Sequence, residues 1–577
     1  MGLLHEHQTV RAHAGLWRRM DHTILRFSGR DAAAWLHNQT TNDLHKLNDG
    51  TGNLHALLDR QGRVQAFFSV HRFEDEFWAV IARQQKDAVF QRMETHLFLE
   101  HVEVEDVGRG GAQLCVEGPR SLIFLAHQAG ESPEEAAAVF PTTPYAYTPM
   151  VIAGFQTLVF RMAESGEDGF LLVPAPEEAG ALYDELEARA IEQGVAVVSE
   201  ETRNVLRIEG GTPRYGIDIG PERIVAETPL AAEAVSYDKG CYLGQEVVAR
   251  LKAYGSPKYA LVGIKATDAG ALLPEPGTDL YAAGKRVGQL CSRTFSPTLQ
   301  QHVAMAYLGR DLRTPGYVHT LTDPRGGHPF EVEVCALPFA APPDRDTQAH
   351  RYYDEALARF EQDADDVDES AIALLRDALL LSPRFEDAYE ALGVILHRHH
   401  RVDEAIGYIQ VLARLNPNSV MAHTNLSVFY VAKGMIQEAE DEKAIAKELE
   451  AMAEFDAHTA KQTAEKERAR LRAEAEERIE MFREVLKIDP EDPVATMGLA
   501  SAYIQLDRHA QAVPCLDTAT RTQKDYSAAF LKLGECHEIL GNRESAKDAY
   551  RKGIEAASRK GDLMPLRNME RRLKALA

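Results

Sequence analysis

A repeat of 34 residues is the feature that most restricts what this chain of 577 residues can fold into. Two separations of 34 residues and one of 73 relate the alanines at the start of each unit, Ala388, Ala422, Ala495 and Ala529. Small residues follow each of them at fixed distances, at Gly393, Ser427, Ala500 and Gly534 and again at Ala405, Ala439, Ala512 and Ala546. A period of this length indicates stacked helical units, each of which buries its apolar face only against its neighbours.

The period resembles that of the tetratricopeptide repeat, which has two helices and about 34 residues per unit. Small residues allow the two helices to approach closely, and a proline precedes three of the predicted first helices, at Pro383, Pro417 and Pro490. We therefore expect an all-α solenoid over residues 371–577 that acts as a protein-interaction module. An unrelated helical bundle is the alternative.

Two segments interrupt this pattern. The 73-residue step contains a stretch near 448–480 rich in Ala, Glu, Lys and Arg, which predicts one long solvated helix or an extended repeat. A partner-binding helix is the functional alternative. Upstream, the proline-rich segment 337–345 and the acidic run 361–369 predict a linker over 341–370, since proline and like charges disfavour packing. The acidic run could instead open the first helix of the array.

Residues 1–255 show a mixed α+β pattern. Short apolar or alternating stretches predict strands at 23–27, 64–70, 77–82, 113–116 and 170–173, with helices between them at 31–38, 84–98 and 176–193. Residues 256–340 are rich in strands and glycines and predict a small β-barrel domain. The predicted fold class is therefore multidomain, with an α+β region and a barrel followed by the solenoid.

Composition excludes several classes of function. The formal net charge is −24 and both halves are acidic, which argues against general nucleic-acid binding. The six cysteines form no CxxC pair, and the run HRHH at 397–400 falls in a predicted turn without acidic or cysteine neighbours, so no metal site is expected. The chain shows no signal peptide and no apolar run of membrane-spanning length. We expect a cytoplasmic protein with no membrane contact.

The segment DKGCYLGQEVVAR concentrates the strongest chemical signal in the chain. Lys239 lies two residues before Cys241, and a nearby ammonium lowers a thiol pKa and favours the thiolate. Gly240 and Gly244 permit unusual backbone shapes or close approach to a ligand. From the residues alone, a glycine-rich turn around a buried cysteine is an equal alternative.

The motif KGCYLGQE resembles the signature of YgfZ-type folate-binding proteins, which are relatives of the glycine-cleavage T-protein. The matching positions are Lys239, Gly240, Cys241, Tyr242, Gly244, Gln245 and Glu246. This resemblance implies tetrahydrofolate or a derivative as the bound cofactor, and a role in iron–sulfur cluster assembly or repair and thereby in tRNA modification. It implies that Cys241 is the functional thiol, tuned by Lys239, and that Tyr242 and Glu246 shape the cleft.

Other segments carry the same resemblance. Residues 27–44 are similar to the family's opening strand, turn and helix, and SGEDGF at 165–170 is similar to a T-protein segment whose glutamate contacts the pterin, which implies that role for Glu167. The stretch 202–219 resembles a segment whose first arginine contacts the ligand, which implies that role for Arg203. Arg207 and Glu209 alternate with apolar residues as in a strand, and we expect a structural ion pair between them.

Two departures argue against aminomethyl transfer. T-protein carries two aspartates where this chain has Ala66 and Phe67, and neither replacement can take or hold a proton. Glu164 stands where the family has a tyrosine. The leading hypothesis is a folate-binding protein that supports iron–sulfur enzymes, with repeats that bind assembly factors or client proteins. The alternatives are a folate-dependent one-carbon transferase and a repeat scaffold whose N-terminal half no longer binds ligand.

Overall fold

The computed structural model describes residues 2–108, 113–131, 133–268, 270–323, 329–341, 344–360 and 365–576. The chain forms two compact units, Met1–Ala439 and Glu440–Ala577. The described helices are α1 (Leu3–Ala12), α2 (Ala32–Gln39), α3 (Lys86–His96), α4 (Ser121–Ala129), α5 (Pro133–Val139), α6 (Ala179–Glu192), α7 (Glu200–Glu209), α8 (Ala231–Ala234), α9 (Gln245–Tyr254), α10 (Arg345–Phe360), α11 (Asp365–Leu381), α12 (Glu386–Arg398), α13 (Val402–Leu415), α14 (Val420–Lys433), α15 (Ile436–Ile488), α16 (Pro493–Gln505), α17 (His509–Thr522), α18 (Ser527–Ile539), α19 (Arg543–Lys560) and α20 (Leu563–Ala575).

The described strands all lie upstream of α10. They are β1 (Gly15–Arg18), β2 (His22–Ser28), β3 (Gly52–Leu58), β4 (Val64–Phe73), β5 (Glu76–Ala82), β6 (Glu103–Asp106), β7 (Leu114–Glu117), β8 (Tyr147–Ile152), β9 (Phe155–Phe160), β10 (Gly169–Pro174), β11 (Ala196–Val197), β12 (Tyr259–Ala266), β13 (Asp279–Ala282), β14 (Lys285–Ser296), β15 (Gln301–Gly309), β16 (Val318–Leu321) and β17 (Phe330–Cys335). The α+β pattern and the predicted strands are confirmed.

Three sheets organise this part of the chain. One has the order β3-β4-β5-β2-β6, and a second has the order β11-β1-β7-β10-β9-β8. Apolar side chains from both sheets, among them Ile24, Val80, Phe160 and Leu171, form a shared core layer between them. The third sheet, β13-β14-β15-β12-β17-β16, has its own apolar core and is the predicted barrel.

Segment 200–209 differs from the prediction. The sequence analysis placed Arg207 and Glu209 in a strand, but they lie in α7. Ser199 caps this helix through a hydrogen bond from the backbone N–H of Thr202, and two glutamates occupy its first turn, both of which stabilise a helix N-terminus. These helix-start signals outweigh the short alternation of charged and apolar residues that suggested a strand.

The helices after α11 follow the predicted repeat. Each repeat has two helices, and the nine alanines and two glycines at the repeat positions are buried. A Cβ on Gly534 would lie 2.2 Å from the Tyr550 ring, so only glycine fits there. The predicted charged helix is part of α15, which has 53 residues.

The predicted linker 341–370 is wrong over most of its described residues, because α10 covers 345–360. Ala349, Tyr352 and Ala356 are buried on one face of α10 and belong to the same apolar cluster as α4 and α11. Buried residues three and four apart are typical of an amphipathic helix. The nearby prolines and acidic residues had indicated a linker instead. Residues 361–364 of the acidic run lie outside the described residues, and α11 begins at Asp365.

Charged pairs join α10 and α11 to the α+β region. Arg120, which precedes α4, donates to the buried carboxylate of Asp377 in α11. Arg345, the first residue of α10, donates through Nε to Asp168 Oδ2 at 2.7 Å. The repeats therefore begin against the α+β region within one compact unit. None of the described helices has the length and apolarity that crossing a membrane requires.

Candidate functional site

Lys239 of the KGCYLGQE motif fixes a distant loop. It is 7% exposed, and its ammonium donates to the backbone carbonyls of Thr40 and Asn42 at 2.6 and 2.9 Å and also to that of His37. An ammonium has three N–H donors, and these three carbonyls use them all. Burial lowers the Lys239 pKa to about 8, although Asp43 opposes the shift. This arrangement does not support the predicted effect of Lys239 on Cys241, because the three carbonyls of the loop use all the N–H donors of the ammonium.

The rest of the motif leaves the thiol accessible. Cys241 is exposed, whereas Tyr242 is buried and the Lys239 ammonium lies 5.2 Å from its ring centroid. Gly244 has φ of +85°, and a Cβ there would lie 2.5 Å from the carbonyl oxygen of Asp59. Gly244 is therefore required for α9 to begin close to the β3–β4 turn.

The last two motif residues have different surroundings. Gln245 donates weakly to the carbonyl of Lys239 at 3.4 Å and so closes the motif on itself. Glu246 has a side chain that is 85% exposed and pairs with Arg250 at 2.6 Å. Of the two residues expected to shape a cleft, Tyr242 lies in the interior and Glu246 lies on the surface of α9.

Glu167 already has a cationic partner. Its Oε1 accepts a hydrogen bond of 2.6 Å from Arg11 Nη1, and Arg11 Nη2 donates at 2.6 Å to Glu209. His7 contacts the same Glu209 carboxylate at 2.8 Å. Burial raises the Glu167 pKa, and the nearby Arg11 limits the rise. The predicted pterin contact therefore lies in an ion-pair network that begins in α1.

Arg203 lies in a second network. It donates to Glu164 Oε2 through Nη2 at 2.9 Å and through Nε at 3.1 Å, and to Asp21 and Glu200 at 3.1 Å each. Burial raises the pKa of Glu164, but Arg19 and Arg203 outweigh it and hold that pKa at about 2. Glu164, the residue that replaces the expected tyrosine, is thus the main partner of the predicted ligand arginine.

A buried carboxylate connects these two networks. Glu117 accepts hydrogen bonds from the backbone N–H groups of Glu164 at 3.0 Å and Ser165 at 2.8 Å. Burial and the neighbouring Glu164 raise the pKa of Glu117 to about 7. The segment 164–167 is therefore fixed from both sides, with Glu167 turned to Arg11 and Glu164 turned to Arg203.

The expected ion pair between Arg207 and Glu209 is also wrong. Arg207 Nη1 donates to Asp218 at 2.6 Å, whereas Glu209 accepts from Arg11, His7 and Ser296. Because residues two apart on a helix point in different directions, the two side chains cannot face each other. The sequence analysis did not identify Arg11 and His7, which lie in α1, as members of the network around Glu167 and Glu209.

The two positions that replace the acidic pair lie side by side in β4. Ala66 is fully buried, and the Phe67 ring lies 6.3 Å from the Tyr215 ring. The Phe67 N–H donates to the uncharged amide of Gln85 through Oε1 at 2.9 Å. Neither position offers a group that titrates.

No group of three His, Cys, Asp or Glu side chains within the described residues is arranged to hold a metal ion. The HRHH run ends α12 and forms the predicted turn, with the His397 ring stacked 4.4 Å from that of Phe429. Cys536 is buried, and Cys515 is partly buried.

Family profiles match most of the chain. The GCVT N-terminal domain matches residues 1–239, and the glycine cleavage T-protein C-terminal barrel domain matches residues 260–340. Tetratricopeptide-repeat profiles match residues 369–442, 468–533 and 527–559. The predicted repeat family is confirmed.

Curated relatives match the first part of the chain. An aminomethyltransferase of Streptomyces coelicolor is 30% identical over 342 residues, which cover 58% of this chain and 88% of that protein. The aminomethyltransferase of Geobacillus kaustophilus is 29% identical over 338 residues, covering 58% and 89%. These relatives are named aminomethyltransferase, and the finer YgfZ-type assignment stays a prediction.

A solved structure shows the same fold. The crystal structure of glycine cleavage system aminomethyltransferase T from Bartonella henselae is similar to this chain, with a TM-score of 0.52 and 24% sequence identity. It covers 59% of this chain and 90% of the Bartonella chain. By its profiles and relatives, the chain belongs to the glycine cleavage T-protein family and continues beyond that family's two domains into tetratricopeptide repeats.

Proposed function

We propose that residues 1–340 bind a reduced folate, tetrahydrofolate or a derivative, without transferring an aminomethyl group. The observation that carries this proposal is the pair Ala66 and Phe67 in β4, where the family has its two aspartates. Proton transfer requires a group that can gain or lose a proton near the operating pH, and these side chains offer none.

The bound folate would support iron–sulfur cluster assembly or repair, and thereby tRNA-modifying enzymes. The KGCYLGQE motif supports this finer role, because Lys239 and Gly244 have structural tasks while Cys241 is exposed. An exposed thiol can meet a cluster or a partner protein, which a buried thiol cannot. The repeats would bring assembly factors or client proteins to it.

Two other functions each have an observation in their favour. The printed name of the relatives favours an aminomethyltransferase, which would need a proton-handling group other than residues 66 and 67. The internal partners of Glu167 and Arg203 favour a scaffold that binds no folate, because both side chains are already paired.

Calorimetric titration of the full chain with tetrahydrofolate and 5-formyltetrahydrofolate tests folate binding. We expect saturable binding that Glu167→Gln weakens and that Cys241→Ser leaves unchanged. Glu246→Gln is the matched control, because that carboxylate is exposed on α9 and pairs with Arg250. A folded chain that binds neither folate would favour the scaffold, whereas aminomethyl transfer from an amine donor to tetrahydrofolate would favour the enzyme.

The cluster role is tested in cells. A strain that lacks this protein is complemented with the wild-type chain, with Cys241→Ser or with Cys515→Ser, whose thiol is partly buried in α17. We expect Cys241→Ser alone to lower the tRNA nucleosides that iron–sulfur enzymes produce, as measured by mass spectrometry. Equal levels in all three strains would refute the thiol function.

A further inference from the structure

A cavity of about 580 Å3 lies between the two sheets of the α+β region. Its walls are mainly apolar, with Ile24 and Trp78 from one sheet, Leu158 and Val173 from the other, and Pro149 and Pro174 at the rim. This volume is within the range of small-molecule sites in proteins. The described lining contains none of Glu167, Arg203 and Cys241, so the cavity is separate from the predicted folate contacts and from the thiol.

Gln113 is the unusual residue in this cavity. It is 2% exposed, and neither its carboxamide oxygen nor its nitrogen has a hydrogen-bond partner within the described part of the chain. The indole N–H of Trp78, which also lines the cavity, has no partner there either. Buried polar groups are nearly always paired, because an unpaired one costs the free energy of removing it from water.

Strand geometry directs the Gln113 side chain toward the cavity. Successive residues of an extended segment point to opposite faces, so Gln113 shares a face with Cys115 and not with Leu114. Cys115 packs in the layer between the sheets, together with Ile24, Leu158 and Val173. Leu114 packs in the separate cluster on the other face. The unpaired carboxamide therefore faces the layer between the two sheets, where the cavity lies.

The charged residues of the lining limit the ligand. Glu105 and Asp106 are both acidic, and they are balanced by Arg26 at 2.6 Å and Lys86 at 3.0 Å. The described lining contains no Lys, Arg or His, so a phosphate or carboxylate ligand would meet two carboxylates and no lining cation.

We propose that this cavity binds an uncharged planar heterocycle that carries a lactam or carboxamide edge. Such an edge presents one donor beside one acceptor, which is the complement of the Gln113 carboxamide. The apolar walls cover the rest of a flat ring, and the Trp78 N–H supplies one further donor. This inference is independent of folate binding at Glu167.

Calorimetry with nicotinamide, guanosine and 6-methylpterin tests the proposal on the full chain, with guanosine monophosphate as the anionic comparison. We expect saturable binding of at least one neutral probe and weaker binding of the phosphate. Gln113→Leu should weaken that binding by about tenfold or more, as expected for the loss of a two-point hydrogen bond. Trp78 is the least buried of the three tryptophans, so its fluorescence should change on binding.

Gln128→Leu is the matched control, because Gln128 is also buried but hydrogen-bonds to Phe124 and Arg189. We expect Gln128→Leu to lower the Tm and to keep probe binding. We expect Gln113→Leu to keep or raise the Tm and to lose probe binding. Absence of binding by every neutral probe would overturn the proposal. Binding that Gln113→Leu leaves unchanged would also overturn it, since the probe would then occupy another site.

Discussion

The α+β region and the repeats position their side chains by different means. In the α+β region, buried charges from distant segments pair with each other, as in Arg203 with Glu164 and Arg11 with Glu209. In the repeats, small residues let helices approach, and many ion pairs are exposed and join residues three or four apart, such as Arg470 with Glu467. The stability of the α+β region is therefore sensitive to the loss of a charge, and the stability of the repeats is sensitive to an increase in side-chain volume.

This difference has a physical origin. A buried charge without a partner is costly, so the α+β region depends on each member of its networks. An exposed pair contributes little because water screens it. Repeats contact only their neighbours, so their stability rests on close helix packing.

The largest expected effect is that of Arg203→Met. It leaves Glu164 and Asp21 without their shared cation, and we expect a loss of about 3–5 kcal/mol in the free energy of unfolding of the α+β region. Denaturant titration followed by tryptophan fluorescence measures it, because Trp17, Trp35 and Trp78 all lie in that region. Arg470→Met, which breaks an exposed pair, should cost under about 1 kcal/mol. Equal losses of stability in the two variants would contradict the difference between the two regions.

The pH dependence of unfolding tests the buried Glu117. Burial and Glu164 raise its pKa in the folded protein to about 7, so the folded state holds a proton that the unfolded state has released. Glu117 should therefore contribute a fall in stability as pH rises from about 4.5 to about 7, by at most about 3 kcal/mol. The buried His37 and His71, whose folded-state pKa burial lowers to about 4, contribute a rise in stability over the same window. From about pH 4.5 to about 7, stability should therefore rise more steeply in Glu117→Gln than in the wild-type chain, and equal slopes would contradict the assignment.

Volume sensitivity in the repeats is tested by Gly534→Ala. The added methyl group meets the Tyr550 ring, and we expect a loss of about 1–3 kcal/mol in thermal or denaturant unfolding followed by circular dichroism. Gly407→Ala, in α13, is the control, since a Cβ there has no atom within 4 Å and should stabilise the helix by about 0.5–1 kcal/mol. Stabilisation by both substitutions would show that the helices tolerate wider spacing.

The smallest effect compares two helix caps. Ser199 accepts from the Thr202 N–H at the start of α7 and also donates to the buried Glu6 at 2.7 Å. Ser419 accepts from the Ala422 N–H at the start of α14. We expect Ser199→Ala to cost about 1–2 kcal/mol and Ser419→Ala about 0.5–1 kcal/mol by the same unfolding assays. The reverse order would contradict a larger polar contribution in the α+β region.

Local patterns in the sequence predicted much of the architecture. The 34-residue period, the strands of the α+β region and the glycine-rich barrel all depend on short-range spacing of apolar and small residues. The same reasoning failed at α10 and α7, where proline content and a brief alternation hid helices whose apolar faces are buried. At α10 the proline and acidic composition indicated a linker, and at α7 a short alternation indicated a strand, whereas the helical spacing of the buried residues was the correct signal in both.

The sequence by itself determined the repeat family, the fold class and the chemical types present at the motif, including a thiol candidate and the missing acidic pair. Only the tertiary structure decided which partner each charge takes. Glu167 pairs with Arg11, 156 residues away, and Lys239 binds carbonyls about 200 residues upstream. Spacing along the chain carries no information about such contacts, because they depend on how the sheets and helices bring distant segments together.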